Sequence, residues 1–333
     1  GLNLRERQQY EFQAVDLGNV CHGALERYSK KVEAGGYDWV EIPEAMRKQY
    51  VDESVDEAVT DYGNSVLYRS ARDEYMIVRM KRMLECTVWA LTRQLKAGDF
   101  RPSAYELRFS YGKIDRVDTC TDDGKTYVKV IDYKTGSKAF DLISLYHGLQ
   151  LQLMVYMNGA VELEKERHPD CEVVPAGVFY YRIKEPLVEK LEESEIEEAV
   201  LKELCPDGIV NLKDEVLDHL EHKKTGESFA IPVKYNKNGS LAKGSKAVPE
   251  EEFQLMLDHA ARKVAETHQK ILNGRTEALP YRKGQETGCD YCRYRHVCGF
   301  DRKIPGYVYR ELEKVSKEQI LAAMKADEGK GET

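Results

Sequence analysis

Residues 125–134 read KTYVKVIDYK, and residues 104–120 read AYELRFSYGKIDRVDTC. Both runs alternate in polarity and are rich in β-branched and aromatic residues, and TDDGK at 121–125 joins them. Asp-Asp-Gly is a hairpin turn signal, so the spacing predicts two antiparallel strands. Side chains on a strand repeat with a period of two, which puts Asp132 and Lys134 on one face. Pairing outward from the turn then sets Asp115 beside Asp132. Two neighbouring carboxylates repel unless something positive lies between them, and a divalent ion is the usual answer. A lysine next to such an ion can orient water or stabilise charge on a phosphoryl group, and the backbone carbonyl of Tyr133 offers a further oxygen ligand. A pair of salt-bridged surface strands fits the same pattern.

Working outward, residues 16–33 (DLGNVCHGALERYSKKVE) space Leu17, Val20, Cys21 or Ala24, and Tyr28 as a helix, with Asp16 as its N-cap and His22 within it. A second amphipathic helix is predicted over about 63–97, ending at Gly98 with Pro102 just beyond. After the hairpin one helix is expected over 143–165, carrying Gln152 and Tyr156 on one face. The strand CEVVPAGVFYYRIKEP at 171–186 contains Pro175, which predicts an edge position or a late start. Helices follow at 192–204 and 250–272, separated by a polar, turn-rich stretch. This order predicts an α/β fold with helical additions. The expected organisation is a single domain over 1–333, with a helical insertion at 34–100 and core strands and helix at 103–185. A loop or hairpin insertion is expected at 206–250, a cysteine segment at 286–305 and a tail at 306–333.

The 333 residues are 42% apolar, and no apolar run approaches the length of a bilayer, so no membrane association is expected. A net charge of −8 argues against unaided electrostatic capture of nucleic acid but leaves a metal site open. No G-x₄-G-K-[S/T] sequence occurs, so ATP hydrolysis is not expected of these residues. Five of the eight cysteines are scattered, and three, Cys289, Cys292 and Cys298, are spaced C-x₂-C-x₅-C. Zinc would need a fourth ligand, and His296 lies too close to Cys298 for comfortable tetrahedral closure.

Taken in order, GNVCHGALE (18–26), GKIDRVD (112–118), VIDYKTG (130–136) and LQLQLMVY (149–156) resemble the PD-(D/E)XK nuclease domains of the RecB/AddB type. CDYCRYRHVC (289–298) resembles their iron-sulfur branch, and the likeness extends from about residue 4 to 305. The resemblance implies a restriction-endonuclease-like core, a mixed sheet flanked by helices. It implies that His22, Asp115 and Asp132 ligate a catalytic Mg²⁺ or Mn²⁺, that Lys134 is the catalytic lysine, and that Gln152 and Tyr156 form a downstream helix motif. Arg116 and Asp118 match less distinctive positions and read as a local ion pair. The implied activity is that of a deoxyribonuclease, an exonuclease that hydrolyses phosphodiesters of one DNA strand by metal-activated water. The implied partners are single-stranded DNA, an AddA-type helicase-nuclease subunit and the remainder of a longer AddB-type chain, in cytoplasmic double-strand-break repair by recombination. Cys289, Cys292 and Cys298 would be three of four ligands of a [4Fe-4S] cluster. The fourth is expected upstream of LNLRERQQYEF, so the chain reads as an excised fragment with an incomplete cluster. Two alternatives stay open: a non-catalytic DNA-binding module, and a free-standing nuclease of the CRISPR-adaptation type.

Overall fold

In the computed structural model, which describes residues 14–63, 71–189 and 192–328, the hairpin forms where the sequence predicts it. Strand β1 (Arg101–Phe109) is followed by β2 (Gly112–Asp122) and β3 (Lys125–Lys134). Asp123 and Gly124 both take positive φ, 44° and 72°, as a two-residue turn matching strand twist requires. The β2–β3 ladder runs from Asp122 opposite Lys125 to Arg116 opposite Ile131.

These strands enter a six-stranded mixed sheet of order β1-β2-β3-β4-β5-β8, with β4 (Glu172–Arg182), β5 (Asp207–Leu212) and β8 (Ala247–Pro249). Pairing is antiparallel at β1–β2, β2–β3 and β4–β5, and parallel at β3–β4 and β5–β8. The parallel β3–β4 pair needs a crossover, and helix α5 (Gln152–Arg167) supplies it while packing on both strands. Helices α1 (Ala14–Ala34), α2 (Glu44–Gly63) and α3 (Ala71–Lys96) share a core in which Val20, Leu25, Tyr28, Val55, Met80 and Leu84 meet Ile131 and Tyr133 of β3. This is the mixed sheet with flanking helices that the sequence implies.

Chain contacts group into two compact units, where the sequence predicts one domain. The first comprises residues 10–140 and 152–254 and holds the whole six-stranded sheet; among the described residues the second comprises 141–151 and those from 255 onward. In the second unit, helix α4 (Leu142–Tyr146) is capped by Asp141, which accepts from the Ser144 N–H at 2.7 Å and pairs with Lys283 at 2.6 Å. The Tyr146 ring stacks on His259 of α8 (Glu250–Leu272), and a small sheet β10-β9-β11 forms from Glu286–Thr287, Tyr281–Lys283 and Arg310–Glu311. The chain then runs into α9 (Lys317–Glu328). Among the described residues no helix is long and apolar enough to cross a membrane.

Four expectations are corrected. Asp16 is not the N-cap of α1 but lies in its first turn, where its carboxylate accepts from the Tyr62 hydroxyl at 2.6 Å. The helix expected over 143–165 is two helices, α4 and α5, interrupted around Gly148 at φ 77°, a left-handed backbone that glycine takes without Cβ strain. Strand β4 is interior, not at an edge: Pro175 sits where the β3–β4 register shifts, so its missing N–H falls at an irregularity. The stretch 206–250 is more than a loop. It supplies β5, β8 and helix α7 (Asp214–Leu220) besides the short hairpin of β6 (Gly226–Glu227) and β7 (Lys234–Tyr235). The predicted helix ends are close at α6 (Glu193–Glu203), and α3 begins at Ala71; the part of its expected range over 64–70 lies outside the described residues.

Candidate active site

One step beyond the last β2–β3 pair stand Asp115 and Asp132, both in the first unit, 8% and 1% exposed. Asp115 Oδ2 accepts the Tyr133 N–H at 2.8 Å and lies 3.2 Å from His22 Nδ1 of α1. A strand end therefore presents one acid to a helix and the other to the sheet's opposite neighbour. Asp132 Oδ1 accepts from Gln152 Nε2 at 2.9 Å, and its Oδ2 forms an ion pair with Lys134. Gln152 also donates to the Tyr156 hydroxyl at 3.0 Å, one helical turn further along α5. Of Tyr133, the described contacts at the site come from its N–H, while its side chain is buried among the helices.

Charge accounts for the protonation behaviour. Burial is the largest influence on Asp132, the Asp115 charge adds to it, and together they push this carboxyl up to about 6 in spite of Lys134. For His22, burial opposes the imidazolium, but the hydrogen bond and charge of Asp115 outweigh it and raise the pKa above the ordinary histidine value.

The set of acids is larger than the sequence reading found. Glu106 on β1 brings its carboxylate within 4.8 Å of the His22 and Asp115 ligand atoms. It occupies the β1 position between Tyr105, paired with Arg116, and Leu107, paired with Ile114, and so falls opposite Asp115. Its φ of 49° is uncommon for a non-glycine residue and marks a local departure from strand geometry. Burial holds Glu106 above the ordinary carboxylate value, although Lys113 pairs with it. The missed signal lay in the sequence: extending the β1–β2 pairing back through the SYG turn sets Glu106 against Asp115. Of the residues expected to converge, the close group is His22, Glu106 and Asp115, whereas Asp132 is drawn to Lys134 and Gln152. Without a shared cation, neighbouring acids take separate cationic partners.

Arg116 and Asp118 are the ion pair that was expected, but a buried one. Their side chains are fully buried, with Arg116 Nε 2.5 Å from Asp118 Oδ1, Lys129 2.9 Å from Asp118 Oδ2, and Trp39 stacked 4.6 Å from the guanidinium.

Cys289, Cys292 and Cys298 belong to the second unit, in a run of turns, and none is in a disulfide. Thr287 and Asp290 close the first turn, and the Phe300 N–H points at Cys298 Sγ at 3.4 Å. Cys21 is buried in the helical core of the first unit.

Fold and site together define an α/β domain of the nuclease class. The profile of the PD-(D/E)XK nuclease superfamily matches residues 1–299, and the chain belongs to that superfamily. It is 40% identical, over 98% of its length, to an ATP-dependent helicase/deoxyribonuclease subunit of Lachnoclostridium phytofermentans. It is 32% identical over 99% to the subunit of that name from Alkaliphilus metalliredigens, and 31% identical over 96% to that from Clostridium acetobutylicum. All three are subunits of the AddB type. The chain spans 30%, 31% and 30% of the length of these relatives.

Proposed function

We propose that these residues form the nuclease domain of a longer helicase/deoxyribonuclease subunit and hydrolyse DNA phosphodiesters with Mg²⁺ or Mn²⁺. The observation that carries this reading is Asp132, a buried carboxylate pushed up to about 6 by burial and Asp115, and facing Lys134. An acid in that state is stabilised by a cation. The donor set fits a hard divalent ion: carboxylates of Asp115, Asp132 and Glu106, the His22 imidazole and the Tyr133 carbonyl. When bound, the ion supplies Lewis-acid polarisation of a phosphoryl oxygen and lowers the pKa of water.

The chain's own groups then divide the remaining work. Gln152 holds Asp132 Oδ1 in place, and Tyr156 fixes the Gln152 amide. Lys134, once a cation replaces it as the partner of Asp132, is free to stabilise negative charge on the phosphate. The net charge of −8 suits a domain that receives a strand from a motor, and the proposed partner is an AddA-type subunit. One strand, exonucleolytic action and recombinational break repair complete the proposal. Cys289, Cys292 and Cys298 are proposed to hold an iron-sulfur cluster whose fourth ligand comes from the longer protein; iron content of that protein, lost on Cys292→Ser, tests this.

The central test is cleavage of single-stranded DNA by the 333-residue chain and by the longer protein, with Mg²⁺ or Mn²⁺, beside EDTA and Asp132→Ala. Metal-dependent cleavage that falls by about 10³-fold in Asp132→Ala is expected. Cleavage absent from both folded proteins overturns the proposal in favour of a DNA-binding module.

A further inference from the structure

A second group of metal-ligating side chains lies at the other end of the β2–β3 hairpin, in the same unit. Cys120 stands on β2 five residues from Asp115, about 17 Å along the strand. With Asp99, in the turn between α3 and β1, and His219, on α7, it forms a set whose ligand atoms all lie within 4.8 Å of one another.

The backbone is built to bring these segments together. A Cβ on Gly98 would lie 2.3 Å from the His219 carbonyl oxygen and 2.5 Å from that of Leu220, so only glycine lets the turn touch the end of α7. The Asp99 N–H donates to the His219 carbonyl at 2.8 Å, and the His222 N–H donates to the Ala97 carbonyl at 2.8 Å. On that frame two imidazoles bracket one carboxylate. His219 Nδ1 is 2.9 Å from Asp99 Oδ2, and His222 Nε2 is 2.9 Å from Asp99 Oδ1. The second nitrogen of His219 lies 3.5 Å from Asp122 Oδ2, and its ring packs on Tyr127 at 4.8 Å. The Cys120 thiol is not in a disulfide.

We propose that Cys120, His219, His222 and Asp99 form a structural Zn²⁺ site, separate from the candidate active site. One sulfur, two imidazole nitrogens and a carboxylate oxygen are a zinc donor set. Sulfur and imidazole favour it over Mg²⁺ or Ca²⁺, which take oxygen. As the ion binds, the thiol proton and the protons shared between Asp99 and the imidazoles pass to solvent. The ion ties the α3–β1 turn, β2 and α7 together across long stretches of sequence, and a cross-link of that kind favours the folded chain.

Co²⁺ is the probe, because a thiolate ligand gives it an intense charge-transfer band and tetrahedral geometry gives it strong visible bands. The 333-residue chain is prepared with Cys289→Ser, Cys292→Ser and Cys298→Ser, so that the clustered thiols contribute nothing. It is expected to bind one Co²⁺ with a thiolate band that Zn²⁺ displaces, and to lose that band on Cys120→Ser or His219→Gln. Zn²⁺ is expected to raise the melting temperature of the parent by several degrees and that of Cys120→Ser not at all. A band that survives Cys120→Ser, or no bound Co²⁺, overturns the site. If the serine background does not fold, Zn²⁺ content after dialysis is compared between the unsubstituted chain and Cys120→Ser; a difference of one ion per chain supports the site, and equal contents overturn it.

Discussion

The two faces of the β2–β3 hairpin both bury charge, with opposite outcomes. On one face Arg116 and Lys129 surround Asp118, which is hydrogen-bonded on both oxygens, and Trp39 covers the guanidinium. Burial works against Asp118, yet its two cationic neighbours hold its carboxyl below the ordinary value. On the other face Asp115 and Asp132 stand side by side with Glu106 close to the first, and Asp132 is pushed the opposite way, up to about 6. The same strand pair thus carries a closed ionic cluster and an acid-rich one. Buried charge by itself says little about function, and the sign of the imbalance says more.

The sharpest way to break this comparison is to remove the acid from the closed face. Asp118→Ala leaves Arg116 and Lys129 buried without their partner, and a loss of about 3–5 kcal/mol in urea unfolding is expected. Mn²⁺ affinity of the molecules that remain folded should not change; if it collapsed, the two faces would be one system. Lys134→Ala acts on the other face, where DNA cleavage is expected to fall by about 10²–10³-fold. Calorimetry should show Mn²⁺ bound as tightly as before or more so, because Asp132 has lost a competing cation.

Smaller effects sharpen the same contrast. Glu106→Gln is expected to weaken Mn²⁺ binding by about tenfold, and unchanged affinity would remove Glu106 from the ligand group. Acid titration of the metal-free chain should move the two faces in opposite directions. The folded pKa of Asp132 is raised, so its contribution to stability is full below about 4 and is lost as pH rises through about 6. That of Asp118 is depressed, so its contribution is present above about 4 and is lost as pH falls through its lower folded value. Mn²⁺ must displace the Asp132 proton, and its apparent affinity should drop by up to about tenfold per pH unit below 6, measured by titration at fixed ionic strength.

Much of the site was legible because it rests on local periodicity. The turn at Asp123–Gly124, the antiparallel register, the adjacency of Asp115 and Asp132, and the Gln152–Tyr156 contact all follow from periods of two and 3.6 residues. Glu106 was missed for want of carrying the register one strand further. Pro175 misled, because a proline's cost depends on whether the neighbouring strand bulges there, which no local pattern reveals.

The order of residues alone thus dictates the hairpin, its facing acids and the family to which the chain belongs, since each depends on residues near in sequence or on ordered motifs. Packing settled the interior place of β4, the break at Gly148, the burial of the Arg116–Asp118 pair, and the meeting of Asp99, Cys120, His219 and His222. Those depend on which surfaces come together, and close approach between distant segments, as at Gly98, leaves only a single glycine as its trace in the chain.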